Sequence, residues 1–285
     1  MTPSWSDSLA PVPGPGEGPR DGAPGANFTV SVVSHGQGPL CRRLISDLAQ
    51  HCAAAVRLVV LTLNSPEEFA IDPAWPFAVK VLNNERPLGF GENHNRAFAH
   101  CRTEFFAVLN PDLRIEQDPF AELRRLLADP GVGLAAPVVR ELDGSLADFA
   151  RPLVSPGEFV RRRFGLGARL DLSGTPDWIA GVFLAFRRDF YADLGGFDPR
   201  YFLYCEDVDL CARARLRGMR LEIARAVAVT HQAQRASRRS LGRMARHVWS
   251  LMRLWSSPVY RDYRNLLRGH VNGTLIDSRS GSGRG

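Results

Sequence analysis

Two short acidic segments carry groups able to do chemistry on a polar substrate: Asn110-Pro111-Asp112 and Glu206-Asp207-Val208-Asp209. A carboxylate placed at the end of a strand can ligate a hard cation or accept a proton. In the second segment Glu206 and Asp209 are three apart and share one helix face, whereas Asp207, at the helix start, points elsewhere. Different roles follow for the three acids. Each segment also has a plainer reading, since Asn-Pro-Asp commonly makes a turn and an acidic pair commonly caps a helix against its dipole. Two more polar stops, Ser34-His35-Gly36 and Asn64-Ser65, complete the set of candidates. Ligands of open α/β sheets sit outside the carboxyl ends of the strands, where all four places are expected.

The elements that must position these residues alternate along the chain. Phe28–Val33 reads as a strand, Leu40–Cys52 as a helix with apolar residues at Leu44, Ile45 and Leu48, and Val56–Leu61 as a second strand. Val79–Leu82 and Phe105–Leu109 give two further strands, with Asn93–Cys101 as the helix between them. Phe120–Leu127 reads as a helix, Val132–Val139 as a strand, Trp178–Phe186 as one regular apolar run, and Ala226–Thr230 as the strand before His231. The fold class is therefore α/β, with a central, mostly parallel sheet. Residues 1–26, rich in Pro and Gly, read as a flexible tail, and 27–234 as the folded domain. Arg151–Thr175 reads as a loop near an acceptor site. Residues 235–285 form a basic, amphipathic, helical arm and tail, with Leu241, Met244, Val248, Leu251, Met252 and Trp255 at helical spacing.

A chain of 285 residues with 45% hydrophobic content can bury a full core. It has no apolar run of membrane-spanning length and no secretory pattern, so the expectation is a cytoplasmic protein. Five scattered cysteines without a Cys-x-x-Cys pair suggest neither a disulfide framework nor a zinc site. A net charge of +6 and a pI near 9.4 suit an anionic partner without choosing among nucleic acid, acidic membrane and phosphorylated substrate.

Taken in order, Leu88-Gly89-Phe90-Gly91-Glu92-Asn93-His94-Asn95, Asn110-Pro111-Asp112 and the long stretch Gly195–Arg213 resemble family 2 glycosyltransferases of the GT-A fold, in their rhamnosyltransferase-like branch. The similarity covers about Val30–His231. It implies a Rossmann-like nucleotide-sugar-binding domain and a divalent cation, Mn²⁺ or Mg²⁺, on the donor diphosphate, with Asp112 and His231 as its protein ligands. It also implies Asp207 as the base that takes the acceptor's proton in an inverting displacement, with Glu206 orienting the acceptor or Asp207. Asp209 with Arg213 is structural in this scheme. The family's usual Asp-x-Asp turn begins here with Asn110, and a common Asp is replaced by Asn64. The nucleotide is expected against Ser34, His35, Asn64, Gly89, Phe90, Gly91, Asn93, Asn95 and Asn110. Gly89 and Gly91 would let backbone approach it, and Asn93 and Asn95 would open a helix whose amide end favours phosphate.

The resemblance points to dTDP-L-rhamnose as donor, with UDP- and GDP-sugars as alternatives, and to a cell-surface polysaccharide or lipid-linked glycan as acceptor. The arm suits either peripheral attachment to the inner membrane face or packing on a second subunit. Two other functions compete. A sugar-phosphate nucleotidyltransferase would need Arg or Lys in a loop after the first strand, and Ser34–Leu40 has neither. A nucleic-acid-binding module is motivated by Arg238, Arg239, Arg243, Arg246 and Arg253, but lacks zinc-finger or RNA-binding motifs, and no nucleic-acid partner is expected.

Overall fold

The computed structural model describes residues 27–153, 155–157, 161, 175–232 and 241–280; within the last stretch, side chains are described for 245–269. The expected N-terminal tail, most of the Arg151–Thr175 loop, the domain boundary at 234, and Arg238, Arg239 and the Arg243 side chain lie outside the described residues.

Strands β1 (Phe28–Ser34), β2 (Val56–Leu63), β3 (Ala78–Asn83), β4 (Phe105–Leu109), β5 (Leu113–Arg114), β6 (Val132–Glu141), β9 (Phe183–Arg187) and β10 (Arg220–His231) form one sheet, in the order β3-β2-β1-β4-β9-β6-β10-β5. Strands β7 (Ala150–Arg151) and β8 (Trp178–Ile179) pair separately. The first four strands of the order run parallel, as does the β6/β10 pair. β9 is antiparallel to both β4 and β6, and β5 antiparallel to β10, so the sheet is mixed on one side.

The expected run Trp178–Phe186 is broken at Ala180–Val182 into β8 and β9, because Gly181 makes a turn there. Helices are α1 (Gly38–His51), α2 (Phe90–Phe98), α3 (Phe120–Leu127), α4 (Arg188–Leu194), α5 (Glu206–Leu216), α6 (Leu241–Ser256) and α7 (Pro258–Ser280). The single helical arm read from the sequence is thus two helices, interrupted where Ser257 precedes Pro258, a residue that cannot continue a helix.

Period-2 alternation in β1 sends Phe28 toward Phe105 and Phe120, while Ser31 on the opposite face hydrogen-bonds His94 of α2 at 2.8 Å. Helices therefore cover both faces, and the core runs from Val30 and Val59 through Phe106, Phe183 and Phe186 to Leu221. All five cysteines are buried and free.

β10 carries the irregularity that matters most for the site. Ala224 opposes Pro137 and Ala228 opposes Val138, so Arg225, Ala226 and Val227 are extra residues against one step of β6. Pro137 brings no N–H to the ladder at this point, a usual setting for a bulge.

A second, smaller core joins the arm to the domain. Leu251, Leu254 and Tyr260 pack with Tyr201, Cys205 and Val208 beside Trp178 and Leu153. Ser250 donates to the Leu203 carbonyl at 2.9 Å, and the Tyr263 hydroxyl donates to Asp177 at 2.7 Å. With one side of α6 docked, Val248, Trp249 and Met252 are left at the surface, as is Phe202. Leu254 is fully buried in this small core, so Leu254→Ala should cost roughly 2–5 kcal/mol in urea unfolding followed by circular dichroism. An unchanged midpoint would mean that the arm does not contribute to the fold.

Candidate active site

The chain leaves β4 at Leu109, turns through Asn110-Pro111-Asp112, and by Leu113 is already paired with His231 of β10. The Gln232 amide donates to the Asp112 carbonyl at 2.8 Å and extends that ladder. Two residues far apart in sequence thereby meet: His231 Nε2 lies 3.2 Å from Asp112 Oδ2. Burial opposes protonation of His231, but the Asp112 hydrogen bond and the charges of Asp112 and Glu141 outweigh it and raise its pKa.

Asp112 Oδ1 is buried and has no hydrogen-bond partner among the described residues. A carboxylate oxygen shut from water and left unpartnered beside an imidazole fits a divalent cation. Among the described residues no cluster of three or more His, Cys, Asp or Glu side chains could hold a metal. A cation here would take its remaining ligands from a bound substrate. Arg43 of α1 reaches the Gln232 side chain, placing a positive charge beside this turn.

The acidic pair begins α5. Tyr204 and Cys205 both adopt left-handed backbone, with φ of 74° and 69°, a costly conformation for non-glycine residues that turns the chain sharply into the helix. Asp207 accepts from the Gly181 amide at 3.1 Å and from the Val208 amide at 2.8 Å. Its pKa is raised by burial despite those donors, and that of buried Glu206 is raised further, by burial and then by the Asp207 charge. Glu206 Oε2 has no partner among the described residues. The pair thus carries one charge most economically, on Asp207, with Glu206 neutral. Asp209 differs: it bonds Arg213 at 2.7 Å, and Arg213 also donates to the Leu194 and Gly196 carbonyls. This arrangement agrees with a structural part for that pair.

The turn at Gly181 ties the two acidic sites together. Its amide holds Asp207, while the next residue's carbonyl, that of Val182, accepts the Asn110 amide at 2.9 Å. A Cβ on Gly181 would press on the Phe90 ring at 3.1 Å and reach the Asp207 Cβ at 3.9 Å. Gly181 was not among the residues singled out from sequence, although a glycine inside an apolar run is a signal of close backbone approach.

Several expected nucleotide contacts are spent on the framework. α2 starts at Phe90, three residues earlier than expected, and the Phe90 amide is taken by the Phe202 carbonyl at 2.8 Å. Asn93 is buried and folds back onto the Gly89 carbonyl at 2.9 Å while accepting from Asn84. Asn95 grips the Phe197 backbone in both directions and accepts from the Tyr191 hydroxyl. Neither asparagine opens a helix toward phosphate.

The two glycines likewise serve packing. A Cβ on Gly91 would sit 2.4 Å from that of Phe197, and one on Gly89 3.0 Å from the Tyr201–Phe202 backbone. Asn64 accepts from Asn84 and Leu88 and donates to the Leu88 carbonyl at 3.0 Å, which an Asp could not do. Ser34 accepts from the Gln37 amide, and Glu67, also missed in the sequence, takes the Gly36 and Gly38 amides. An anion already occupies the loop where a triphosphate would bind. His94, buried with Ser31, has its pKa pushed down to about 3 by desolvation and is neutral. His35 is exposed, with its ring 3.4 Å from the Asn64 amide, and Asn110 is half-buried.

The fold is that of the GT-A glycosyltransferases. The structure is similar to GalNAc-T7 crystallised with UDP, GalNAc and Mn²⁺, with a TM-score of 0.56 and 17% identity over 72% of this chain and 43% of that one. It is also similar to the mannosyltransferase PcManGT from Pyrobaculum calidifontis in complex with GDP-Man and Mn²⁺, with a TM-score of 0.55 and 18% identity over 81% and 62%. The chain spans less than two thirds of either structure.

Residues 24–250 match the family described as glycosyltransferase like family 2, and the chain belongs to that family. It is 28% identical over 198 residues to rhamnosyltransferase WbbL of Escherichia coli (strain K12), covering 63% of this chain and 75% of that protein. It is 27% identical over 247 residues to N-acetylglucosaminyl-diphospho-decaprenol L-rhamnosyltransferase of Mycobacterium tuberculosis (strain ATCC 25618 / H37Rv), covering 76% and 80%. The protein is a rhamnosyltransferase-like member of the family, and glycosyl transfer replaces the nucleotidyltransferase and nucleic-acid alternatives.

Glu206 binds its proton more tightly folded than unfolded, so its contribution to stability is present below about pH 4 and is lost as pH rises through its raised value. Glu206→Gln, which stays neutral, should therefore gain stability relative to wild type as pH rises from about 5 toward neutrality in urea titrations. A constant difference across that range would show that Glu206 does not titrate abnormally.

Proposed function

We propose that the protein is an inverting glycosyltransferase that moves a sugar, with L-rhamnose from dTDP-L-rhamnose as the leading donor, to a hydroxyl of a lipid-linked or cell-surface glycan. The observation that carries this is the Gly181–Val182 turn, which holds Asp207 on one side and the Asn110–Asp112 turn on the other. A base and a diphosphate site joined so directly can serve the two ends of one displacement. The relatives support the sugar and the acceptor class, since by name one is a rhamnosyltransferase and another acts on an N-acetylglucosaminyl-diphospho-lipid.

Asp112 and His231 would hold a divalent cation, with Mn²⁺ ranked ahead of Mg²⁺, which when bound neutralises charge developing on the leaving diphosphate. The nucleoside fits a cleft of about 560 Å³ at the ends of β2 and β3, between Leu63, Ser65 and Asn83. Glu67, Glu68 and Glu85 line it and repel phosphate, favouring the base and ribose there and the diphosphate toward Asp112. His35, whose ring meets the Asn64 side chain at 3.4 Å, and Asn110, whose backbone amide is held by Val182, are the remaining candidates to meet the donor. Asp207, ionised and aimed by two amides, takes the proton of the acceptor hydroxyl as that oxygen attacks the anomeric carbon opposite the leaving diphosphate. Its raised pKa strengthens it as a base, and neutral Glu206 keeps a second charge away from it. The configuration at the anomeric carbon inverts in the single step.

Titrating dTDP, UDP and GDP calorimetrically with Mn²⁺ or Mg²⁺ tests the donor side. One nucleotide should bind in a metal-dependent way, Asp112→Ala should weaken it by about tenfold or more, and Asp207→Asn should leave it intact while lowering turnover by roughly 10²–10⁴-fold. Loss of nucleotide binding in Asp207→Asn, or none in wild type, would overturn the assignment.

Among the described residues no helix is long and apolar enough to cross a membrane. We assign peripheral membrane attachment to α6, where exposed Val248, Trp249 and Met252 adjoin Arg246, whose guanidinium lies over Phe202. The double change Trp249→Glu, Met252→Glu should abolish cosedimentation with phosphatidylcholine vesicles containing phosphatidylglycerol. Full retention would instead direct attention to packing on a second subunit, measured by mass in solution.

A further inference from the structure

A cleft of about 520 Å³ lies between α7 and the start of the Arg151–Thr175 segment, lined by Pro152, Leu153, Asp177, Tyr260, Leu267 and two arginines, Arg264 and Arg268. The arginines are one helical turn apart, so their side chains share a face, and both also line an adjoining groove along α7. Both are exposed, and among the described residues neither has an acidic partner. Tyr260 is buried, and its hydroxyl has no hydrogen-bond partner among the described residues. The single carboxylate present, Asp177, is already engaged by the Leu153 amide and the Tyr263 hydroxyl, both at 2.7 Å. Two unpaired guanidinium groups and an unused hydroxyl beside an apolar wall suit an amphiphile whose head is phosphate.

The cleft's position relates it to the chemistry. Asp177 on its rim is four residues from Gly181, whose amide holds Asp207. That stretch spans at most about 14 Å, the scale of one sugar ring with a diphosphate attached.

We propose that this cleft is the acceptor's diphosphate-lipid subsite. Arg264 and Arg268 grip the diphosphate, the Tyr260 hydroxyl donates to it, and the wall of Pro152, Leu153 and Leu267 takes the first part of the lipid chain. The sugar carried on the diphosphate then faces Asp207. This inference rests on the lipid-linked-acceptor assignment above and adds the residues that would recognise it.

The test uses the full chain, wild type and Arg264→Gln/Arg268→Gln, without divalent metal so that the probe is kept off the donor side. Farnesyl diphosphate should bind wild type, at least tenfold more tightly than either farnesol or inorganic diphosphate, and the double variant should lose tenfold or more of that affinity. Binding of dTDP, UDP or GDP with Mn²⁺ should be the same in both proteins, which also shows that the variant is folded. Unchanged farnesyl diphosphate binding in the variant overturns the proposal. So does inorganic diphosphate binding as tightly as the lipid, which would mark a free-anion site. Loss of phosphatidylglycerol vesicle binding with farnesyl diphosphate binding retained would mark a general membrane surface and overturn it equally. If wild type binds nucleotide but no farnesyl diphosphate, the subsite fails while the transferase assignment stands. If it binds farnesyl diphosphate through these arginines but no nucleotide, the transferase assignment fails and takes the acceptor role with it.

Discussion

The site depends on two backbone hydrogen bonds made by neighbouring residues, Gly181 N–H to Asp207 and Val182 C=O to Asn110 N–H. They fix one acid relative to another that lies almost a hundred residues away in sequence, without using a side chain from either partner in the turn. Backbone-to-backbone and backbone-to-carboxylate ties are short and lose little entropy when formed, so they position reacting groups better than long side chains do. The absence of a Cβ at 181 lets Phe90 close over the turn, and Phe90 is in turn held by Phe197 and by the Phe202 carbonyl. The Leu88–Asn95 and Gly195–Arg213 segments are two halves of one clamp around that turn.

This clamp explains which parts of the site were legible in the sequence. Asp112, Glu206, Asp207 and His231 were visible because each ends a strand or begins a helix whose apolar pattern is plain. Placement beside a strand end survives folding, and the pairing of β5 with β10 then brings Asp112 to His231. Asn93, Asn95, Gly89 and Gly91 were misassigned for a common reason. A polar or small residue in a recurring motif looks the same whether it meets a ligand or another part of the chain, and only the partner's position decides. Their partners, Asn84, Tyr191, Phe197 and Phe202, are brought near by long-range packing that no local period encodes.

The fold itself was read more completely than the site. Short apolar runs placed β1, β2 and β4, and helical spacing placed α1 and α3, nearly to the residue. The misses fall where a single residue breaks a longer pattern: Gly181 splits the expected run into β8 and β9, and Pro258 divides the arm. The antiparallel insertion of β9 between β4 and β6 was not legible either, since sheet order depends on crossovers. The arm's amphipathic stripe proved to have two uses, because Leu251 and Leu254 fill the small core while Trp249 and Met252 stay outside.

The extra residues Arg225, Ala226 and Val227 opposite Pro137 set where β10 ends. Each residue advances a strand by about 3.3 Å and alternates its face, so removing one would carry His231 short of Asp112 and turn its ring to the other side of the sheet. Any residue types that tolerate the bulge would do, but their number is fixed. The length of this bulge is a ruler for the Asp112–His231 contact, and a single-codon insertion or deletion there would be more damaging than most substitutions in the same three positions.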